Sequence, residues 1–230
     1  MDYQPRTIAF LAELYHPPLQ PDPRPAQRLH NEMFGSREPA YSSFAVTPQG
    51  PVLSNPVVRV GATSQVSFLA DRVQFREELG SMTCEGFAER VGEVGARTAQ
   101  EREIQVFTGQ QVTLRSLINP HSRKDARDFL REGMFRFGDE PELFQRAPQL
   151  YGLRLTFPPT ESEPSTFSLR VESYNADPRS LFIEVQGAFG PVIVARGLEP
   201  LGERVGLAYD FLTERALPFV ARFERGATEA

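Results

Sequence analysis

Three arginines and two glutamates in the second half of this sequence have the type and spacing to bind a charged group. Each occurs in a predicted strand in which leucine, valine or isoleucine alternates with polar residues, so within each strand the two kinds point to opposite faces of the sheet. The phase between neighbouring strands is not readable from the sequence; in one phase, all five charged residues share a face. The candidate binding residues are Arg115, Arg154, Arg170, Glu172 and Glu184. Such a face can bind an anion, a peptide carboxylate or an acidic partner. The alternative is a solvated face whose cross-strand charge pairs contribute about 0.2–1 kcal/mol each.

Two histidines and one cysteine are the other candidates for chemistry. His16 and His121 each stand beside a proline in comparable turns, where they are either a metal or acid–base pair united by internal symmetry or exposed turn residues. Cys84 follows a predicted helix N-cap, which can lower a thiol pKa, but it has no evident base. No G-x-S-x-G motif occurs, and no glycine-rich phosphate loop follows a strand. We therefore predict no catalytic residues, no metal site and no cofactor.

Composition narrows the class of protein. A chain of 230 residues buries about 70–75% of its unfolded surface and needs no metal or disulfide to fold. The net charge of −5, without a basic run, argues against nucleic acid as a partner, because phosphate binding usually needs a basic surplus. The sequence has no signal peptide, which would show a basic start followed by an apolar run, and no apolar stretch long enough to span a bilayer. We expect a cytoplasmic prokaryotic protein without a membrane segment.

Hydrophobic periodicity predicts an α+β fold. In the first half we predict strands over Thr7–Tyr15, Tyr41–Val46, Val57–Val60 and Gln65–Phe75, a helix from Pro25 to Gly35, and a helix capped by Thr83 that reaches about Gln100. In the second half we predict strands over Gln105–Ile118, Gln149–Phe157, Thr166–Tyr174 and Ser180–Phe189, helices over Asp125–Phe135, Glu140–Ala147 and Leu201–Phe223, and a frayed end from Glu224. The glycines of the Thr83 helix favour close packing on a sheet, and Pro218 should kink the last helix.

The two halves repeat one element order: strand, helix, three strands, helix. At an offset of about 101, Leu29, Met33 and Phe34 fall on Leu130, Met134 and Phe135. We predict two similar halves, 1–103 and 104–230, which form one compact unit. Each has an antiparallel sheet covered by its long helix, and the two sheets join or face each other. The first half offers only Glu13 and Arg59 as counterparts of the arginine set.

The run V-T-L-R-S-L-I-N-P, together with the sequence that follows it, resembles a sporadically distributed family of uncharacterised prokaryotic proteins. The strand Leu114–Asn119 is similar to that family's pattern glycine/leucine-x-arginine-tyrosine-isoleucine-asparagine, with Leu117 nearest the tyrosine and Ser116 inserted. Tyr209 or Asp210 stands where the family's closing helix has a histidine. The resemblance implies no catalytic residues. The element order also resembles the duplicated TATA-binding-protein-like saddle and the helix-grip folds that hold hydrophobic ligands.

These observations predict a non-enzymatic binding or assembly protein. It would act through a sheet face or edge, on a protein partner or by self-association. The alternative is a helix-grip-like domain that binds a small hydrophobic ligand. Its apolar cavity would lie between the C-terminal helix and the sheet, lined by Phe211, Leu212 or Phe219.

Overall fold

Nine strands form one antiparallel sheet in the computed structural model, which describes residues 3–20, 22–35, 40–137, 144–146 and 148–227. These strands are β1 (Arg6–Tyr15), β2 (Ser43–Thr47), β3 (Gly50–Ser54), β4 (Thr63–Phe68), β5 (Arg72–Glu78), β7 (Gly109–Ile118), β8 (Gly152–Phe157), β9 (Thr166–Ser173) and β10 (Leu181–Phe189). Their order is β2-β3-β4-β5-β1-β7-β10-β9-β8. Strands β6 (Val106–Phe107) and β11 (Val192–Ile193) form a separate pair. The α+β class is confirmed, and the nine strands form one continuous sheet.

Helices cover one face of this sheet. They are α1 (Arg24–Phe34), α2 (Cys84–Glu101), α3 (Ala126–Asp128) with a π-helical turn (Phe129–Met134), α4 (Pro200–Asp210) with a second π-helical turn (Phe211–Ala216), and α5 (Leu217–Ala221). Helix α2 packs on β1 and β5, α4 packs on β7 and β10, and the two helices contact each other. Within the described ranges, none of these helices combines the length and apolar character needed to cross a bilayer.

The pairing of β1 with β7 joins the two halves of the sheet. Ala12 lies opposite Val112 and Phe10 opposite Leu114, and all four side chains are buried on the helix side, where Phe10 stacks on Phe87 of α2. Paired residues of an antiparallel ladder point to the same face. The register therefore turns the intervening polar residues of both strands to the opposite face.

Glycines allow α2 to approach both the sheet and α4 closely. A Cβ atom added to Gly95 would lie 2.9 Å from Leu201 Cδ1 and 3.1 Å from Leu14 Cδ1. One added to Gly202 would lie 3.0 Å from the carbonyl oxygen of Ala88. The prediction that the α2 glycines serve close packing is confirmed at Gly95, where this contact outweighs a helix-propensity cost of about 1 kcal/mol.

Two predicted strands of the first half are wrong. Residues Val57–Val60 form no strand and are exposed, and Gln65–Phe75 is not one strand but the β4–β5 hairpin with its turn at residues 69–71. The buried apolar positions change from even numbers before the turn (Val66, Phe68) to odd numbers after it (Val73, Phe75), as a change of strand allows. Four strands therefore follow α1, where three were predicted.

The second half is closer to the prediction. Strands β8, β9 and β10 fall within the predicted ranges. The long helix is interrupted ahead of Pro218, as expected. The Leu217 N–H donates to the Leu212 carbonyl, five residues back, and this wider π-helical turn precedes a proline that has no N–H to donate. The predicted helix over Glu140–Ala147 falls largely outside the described residues.

Glu224 fixes the C-terminal segment to two distant parts of the chain. Its carboxylate accepts hydrogen bonds from the Tyr3 hydroxyl and, at 2.8 Å each, from the backbone N–H groups of His121 and Ser122. Burial acts to raise the pKa of this carboxyl, but the hydrogen bonds outweigh it and the pKa is lowered. Glu224 itself is therefore anchored, contrary to the prediction of a frayed end that starts there.

Replacing Glu224 with Gln should lower the free energy of unfolding by about 1–2 kcal/mol at pH 7, because three donors lose a charged acceptor. A carboxyl with a lowered folded-state pKa stabilises the fold above its unfolded pKa, and the stabilisation is lost as the pH falls through the folded pKa. The difference between wild type and variant should therefore shrink on acidification. Urea unfolding of wild type and variant at several pH values from neutral to acidic tests this expectation. The exposed Glu214→Gln serves as the control. A difference that does not change with pH would contradict the assignment.

Candidate functional site

The face of the sheet opposite the helices, here called the open face, is polar across its centre. On β5, β1, β7, β10 and β9, every second residue points away from the helices, and most of these residues are partly buried or exposed, whereas Ala9 and Leu117 are buried. The five predicted residues Arg115, Arg154, Arg170, Glu172 and Glu184 all lie on this face. The register settles the relative phase of neighbouring strands, which the sequence left open.

Charged residues form a row at one level of the open face, here called the charged row. From β5 outward it reads Glu78, then Ala9 of β1, then Arg115 of β7, Glu184 of β10, Arg170 of β9 and Arg154 of β8, each opposite the next. The charge signs alternate from Arg115 to Arg170. The row then ends in two arginines that lie opposite each other at the sheet edge.

Ion pairs connect Glu78, Arg115, Glu184 and Arg170 of this row. Arg115 Nε lies 2.8 Å from Glu184 Oε2 and its Nη1 lies 3.6 Å from Glu78 Oε1. Arg170 Nη2 lies 2.6 Å from Glu172 Oε1, and its Nη1 is 3.9 Å from Glu184 Oε1. Glu184 thus stands between two guanidinium groups. Both arginine side chains are more than a third exposed, so each pair contributes little to stability.

Arg154 is the exception among the predicted residues. Its side chain is exposed, and it stands opposite Arg170 on the outermost strand. No carboxylate of the described residues lies within 4.0 Å of its guanidinium nitrogens. Like charges placed directly opposite each other destabilise a strand pair. Arg154 therefore presents a cation that a carboxylate from outside the chain can approach.

Two hollows lie along the charged row, and Arg115 and Glu184 line both. The smaller, of about 210 Å³, is bounded by polar side chains of β5, β1, β7 and β10. The larger, of about 500 Å³, reaches the loop after β9. It contains a stacked pair, Tyr174 and Phe182, with ring centroids 6.3 Å apart, and the Arg170 guanidinium lies 5.6 Å from the Phe182 ring. The face thus offers charge, aromatic surface and concavity together.

The first half contributes charges that the sequence prediction missed. Arg72 and Arg76 of β5 lie on the open face, whereas Arg59 lies outside the strands and donates to the Leu79 carbonyl. The expectation that Glu13 and Arg59 are the only comparable charges is therefore wrong. Asp71, a turn-forming residue, lies within the run that was predicted as one strand and indicates the turn of the β4–β5 hairpin.

A second charged cluster occupies the β1 and β5 part of the open face. The Glu13 carboxylate accepts from the Tyr15 hydroxyl at 2.6 Å and from Gln74 Nε2 at 2.9 Å, and Arg72 Nη1 lies 3.3 Å from it. Burial and the bond to Glu13 raise the pKa of Tyr15 to about 12, so this hydroxyl stays protonated and donates. The open face is therefore charged in both halves.

The histidines do not form a pair. Tyr15 of β1 lies opposite Gly109 and Arg6 opposite Leu117, so His16 and His121 follow opposite ends of the β1–β7 pair, roughly 30 Å apart at the rise of a strand. His16 is buried, contrary to the expectation of an exposed turn residue. Its Nδ1 lies 2.8 Å from the Pro17 carbonyl oxygen. His121 is exposed.

An apolar cavity of about 480 Å³ lies on the helix side of β8 and β9, here called the edge cavity. Phe211 and Phe219 line it as predicted, whereas Leu212 is buried elsewhere in the core. The remaining apolar wall comes from Leu155, Phe157, Pro158, Phe167, Leu169 and Ala216. At its rim, Arg215 Nη1 of the second π-helical turn lies 2.8 Å from Glu163 Oε2 of the β8–β9 loop. Its volume suits a small apolar guest.

No protein-family model matches this chain, and no curated protein matches it either. The resemblance of the strand Leu114–Asn119 to a prokaryotic family therefore stays a prediction.

Cys84 should behave as an inert thiol in the folded protein. It is buried, and burial, with smaller contributions from Glu85 and Asp210, raises its pKa to about 12, so the reactive thiolate is scarce at neutral pH. A colorimetric disulfide reagent should label it slowly in the native protein and rapidly in denaturant. Native labelling as fast as that of the denatured chain would show that Cys84 is an activated nucleophile.

Proposed function

We propose that this chain is a non-enzymatic binding or assembly protein that recognises a protein partner, or a second copy of itself, through the open face or an edge of its sheet. The observation that carries the proposal is the charged row with its two hollows. Its arginines and glutamates are held in register by the ladder but remain partly exposed. A partner of complementary charge pattern can exchange ion pairs with them.

The charges of the open face favour recognition over catalysis. The arginines of the charged row are fixed cations, and those on β7 and β9 are already paired with carboxylates, which suits orientation of a partner better than proton transfer. The Cys84 thiol is buried and protonated, and the two turn histidines lie far apart. Arginine beside aromatic surface, as at Phe182, is a frequent combination at protein interfaces.

We also propose that the two halves arose by internal duplication. Three pairs of elements begin 102 or 103 residues apart: α1 at Arg24 and α3 at Ala126, β3 at Gly50 and β8 at Gly152, β4 at Thr63 and β9 at Thr166. In this reading β5 corresponds to β10, and β1 to β7. The charged row then lies beside the axis that relates the halves.

Changing Arg115, Arg154 and Arg170 together to Ala should abolish partner capture or self-association, because the charged row loses its cations. Light scattering measures the oligomeric state, and crosslinking in the native host followed by mass spectrometry identifies the partner. A matched control removes three ion-paired arginines away from the open face: Arg24, Arg97 and Arg127. A strictly monomeric wild type together with an unchanged partner in the triple variant would contradict the proposal.

The edge cavity favours a second candidate function, the binding of a small hydrophobic ligand. Its lining is almost wholly apolar, and a π-helical turn, a feature frequent at functional sites, forms one wall. A panel of fatty acids and aromatic compounds should then raise the thermal midpoint of the wild type. The variant Ala216→Leu, which fills the cavity, should not respond, whereas the exposed control Ala195→Leu should. A thermal midpoint that no compound of the panel changes, together with no co-purifying ligand in native mass spectrometry, would contradict this second function.

A further inference from the structure

We propose that β8 is a docking edge for an extended segment of a partner protein in which an acidic residue lies between two apolar residues. The segment would add to the sheet as a tenth strand. Its acidic side chain would pair with Arg154 on the open face, and an apolar neighbour would enter the edge cavity on the helix side. The proposal rests on the proposed binding function and specifies the chemistry of the partner.

The outer side of β8 has backbone groups available for pairing. β8 is the last strand of the sheet, and no strand among the described residues lies beyond it. The Ser173 N–H donates to the Tyr151 carbonyl at 2.9 Å, and antiparallel ladders alternate between inward and outward pairs. The N–H and C=O groups of Gly152, Arg154 and Thr156 therefore point outward, and all three residues are exposed. An extended peptide can satisfy such an edge.

The charged row indicates which residue the added strand should carry opposite Arg154. Inside the sheet, Glu184 lies between Arg115 and Arg170 and pairs with both. At the edge the alternation fails, because Arg170 and Arg154 are opposite each other. A carboxylate on the next strand restores alternation and gives Arg154 the partner it lacks among the described residues.

The edge cavity indicates the residues on either side of that acid. In an added strand, about 4.8 Å from β8, the neighbours of the acidic residue point to the helix side. There they lie opposite Leu153 and Leu155, of which Leu155 lines the edge cavity together with Phe157, Phe211 and Phe219. An apolar side chain fits this cavity.

Strand β10 shows the same combination inside the fold. Its Glu184 pairs with an arginine on each side, and the flanking Ile183 and Val185 are fully buried. A second copy of β8 would not serve as the added strand. Its sequence is apolar–arginine–apolar around Arg154, and pairing it with itself there would place like charges opposite each other. We therefore assign the edge to a different protein.

Fluorescence anisotropy with two labelled peptides tests the assignment: S-T-I-E-V-T-S, and S-T-I-K-V-T-S as its charge control. The glutamate peptide should bind wild type saturably and about 2- to 5-fold more tightly than the lysine peptide. Arg154→Glu should reverse that preference, whereas the exposed control Arg196→Glu should leave it unchanged. Thr156→Pro, which removes one outward N–H, should lower the affinity for the glutamate peptide about tenfold. Thermal melts establish that the variants are folded.

Three results would overturn the proposal. They are no saturable peptide binding to wild type, a peptide preference that Arg154→Glu leaves unchanged, or a dimer in light scattering that Thr156→Pro dissociates, which would show that a second copy of the chain pairs with β8.

The double variant Arg115→Ala with Arg170→Ala keeps β8 intact and separates this proposal from the open-face function. If this double variant loses the native partner and the peptides do not bind wild type, the β8 proposal is wrong and the open-face function is supported. If the double variant keeps the partner and the peptides bind as expected, the β8 proposal is supported and the open-face function is wrong.

Discussion

The antiparallel pairing of β1 with β7 is the constraint on which the rest of the structure depends. It makes one sheet of the strands from both halves, and its register fixes which side of that sheet each alternate residue occupies. Because a strand has a period of two, a slip of one position would turn Phe10, Ala12 and Leu14 to solvent and bury charge beneath the helices. The close contact of α2 with Leu14 and Leu201 at Gly95 depends on Leu14 pointing to the helix side.

The charged row follows from that register, and its energetics suit recognition better than stability. Arg115 and Arg170 compete for Glu184 in a partly solvated setting, where such pairs contribute about 0–1 kcal/mol. The fold is held by the apolar layer on the other face, and the ion pairs set the charge pattern that a partner meets. At one end of the row Glu78 forms an ion pair with Arg115. At the other end Arg154, on the outermost strand of the sheet, has no ion-pair partner among the described residues.

The edge cavity has a local physical cause. Pro218 cannot donate a backbone hydrogen bond, and the helix widens into a π-helical turn just ahead of it. That turn carries Phe211 and Ala216 over the end of β8 and β9, beside the loop that the Arg215–Glu163 pair connects to the helix. Apolar space therefore lies next to a strand edge, a combination that neither the helix nor the sheet would produce alone.

Alternation and capping in the sequence determined the α+β class, most strands of the second half and the Thr83 cap, because these depend on residues close together in the chain. The hairpin hidden in Gln65–Phe75 was missed, since a continuous polar–apolar run masks a turn, and with it the charges of β5 were misplaced. The strand order, the separation of His16 from His121 and the anchoring of Glu224 were decided only by tertiary structure. Each depends on which strands become neighbours, and that is set by burial of the whole apolar face at once and not by any local pattern.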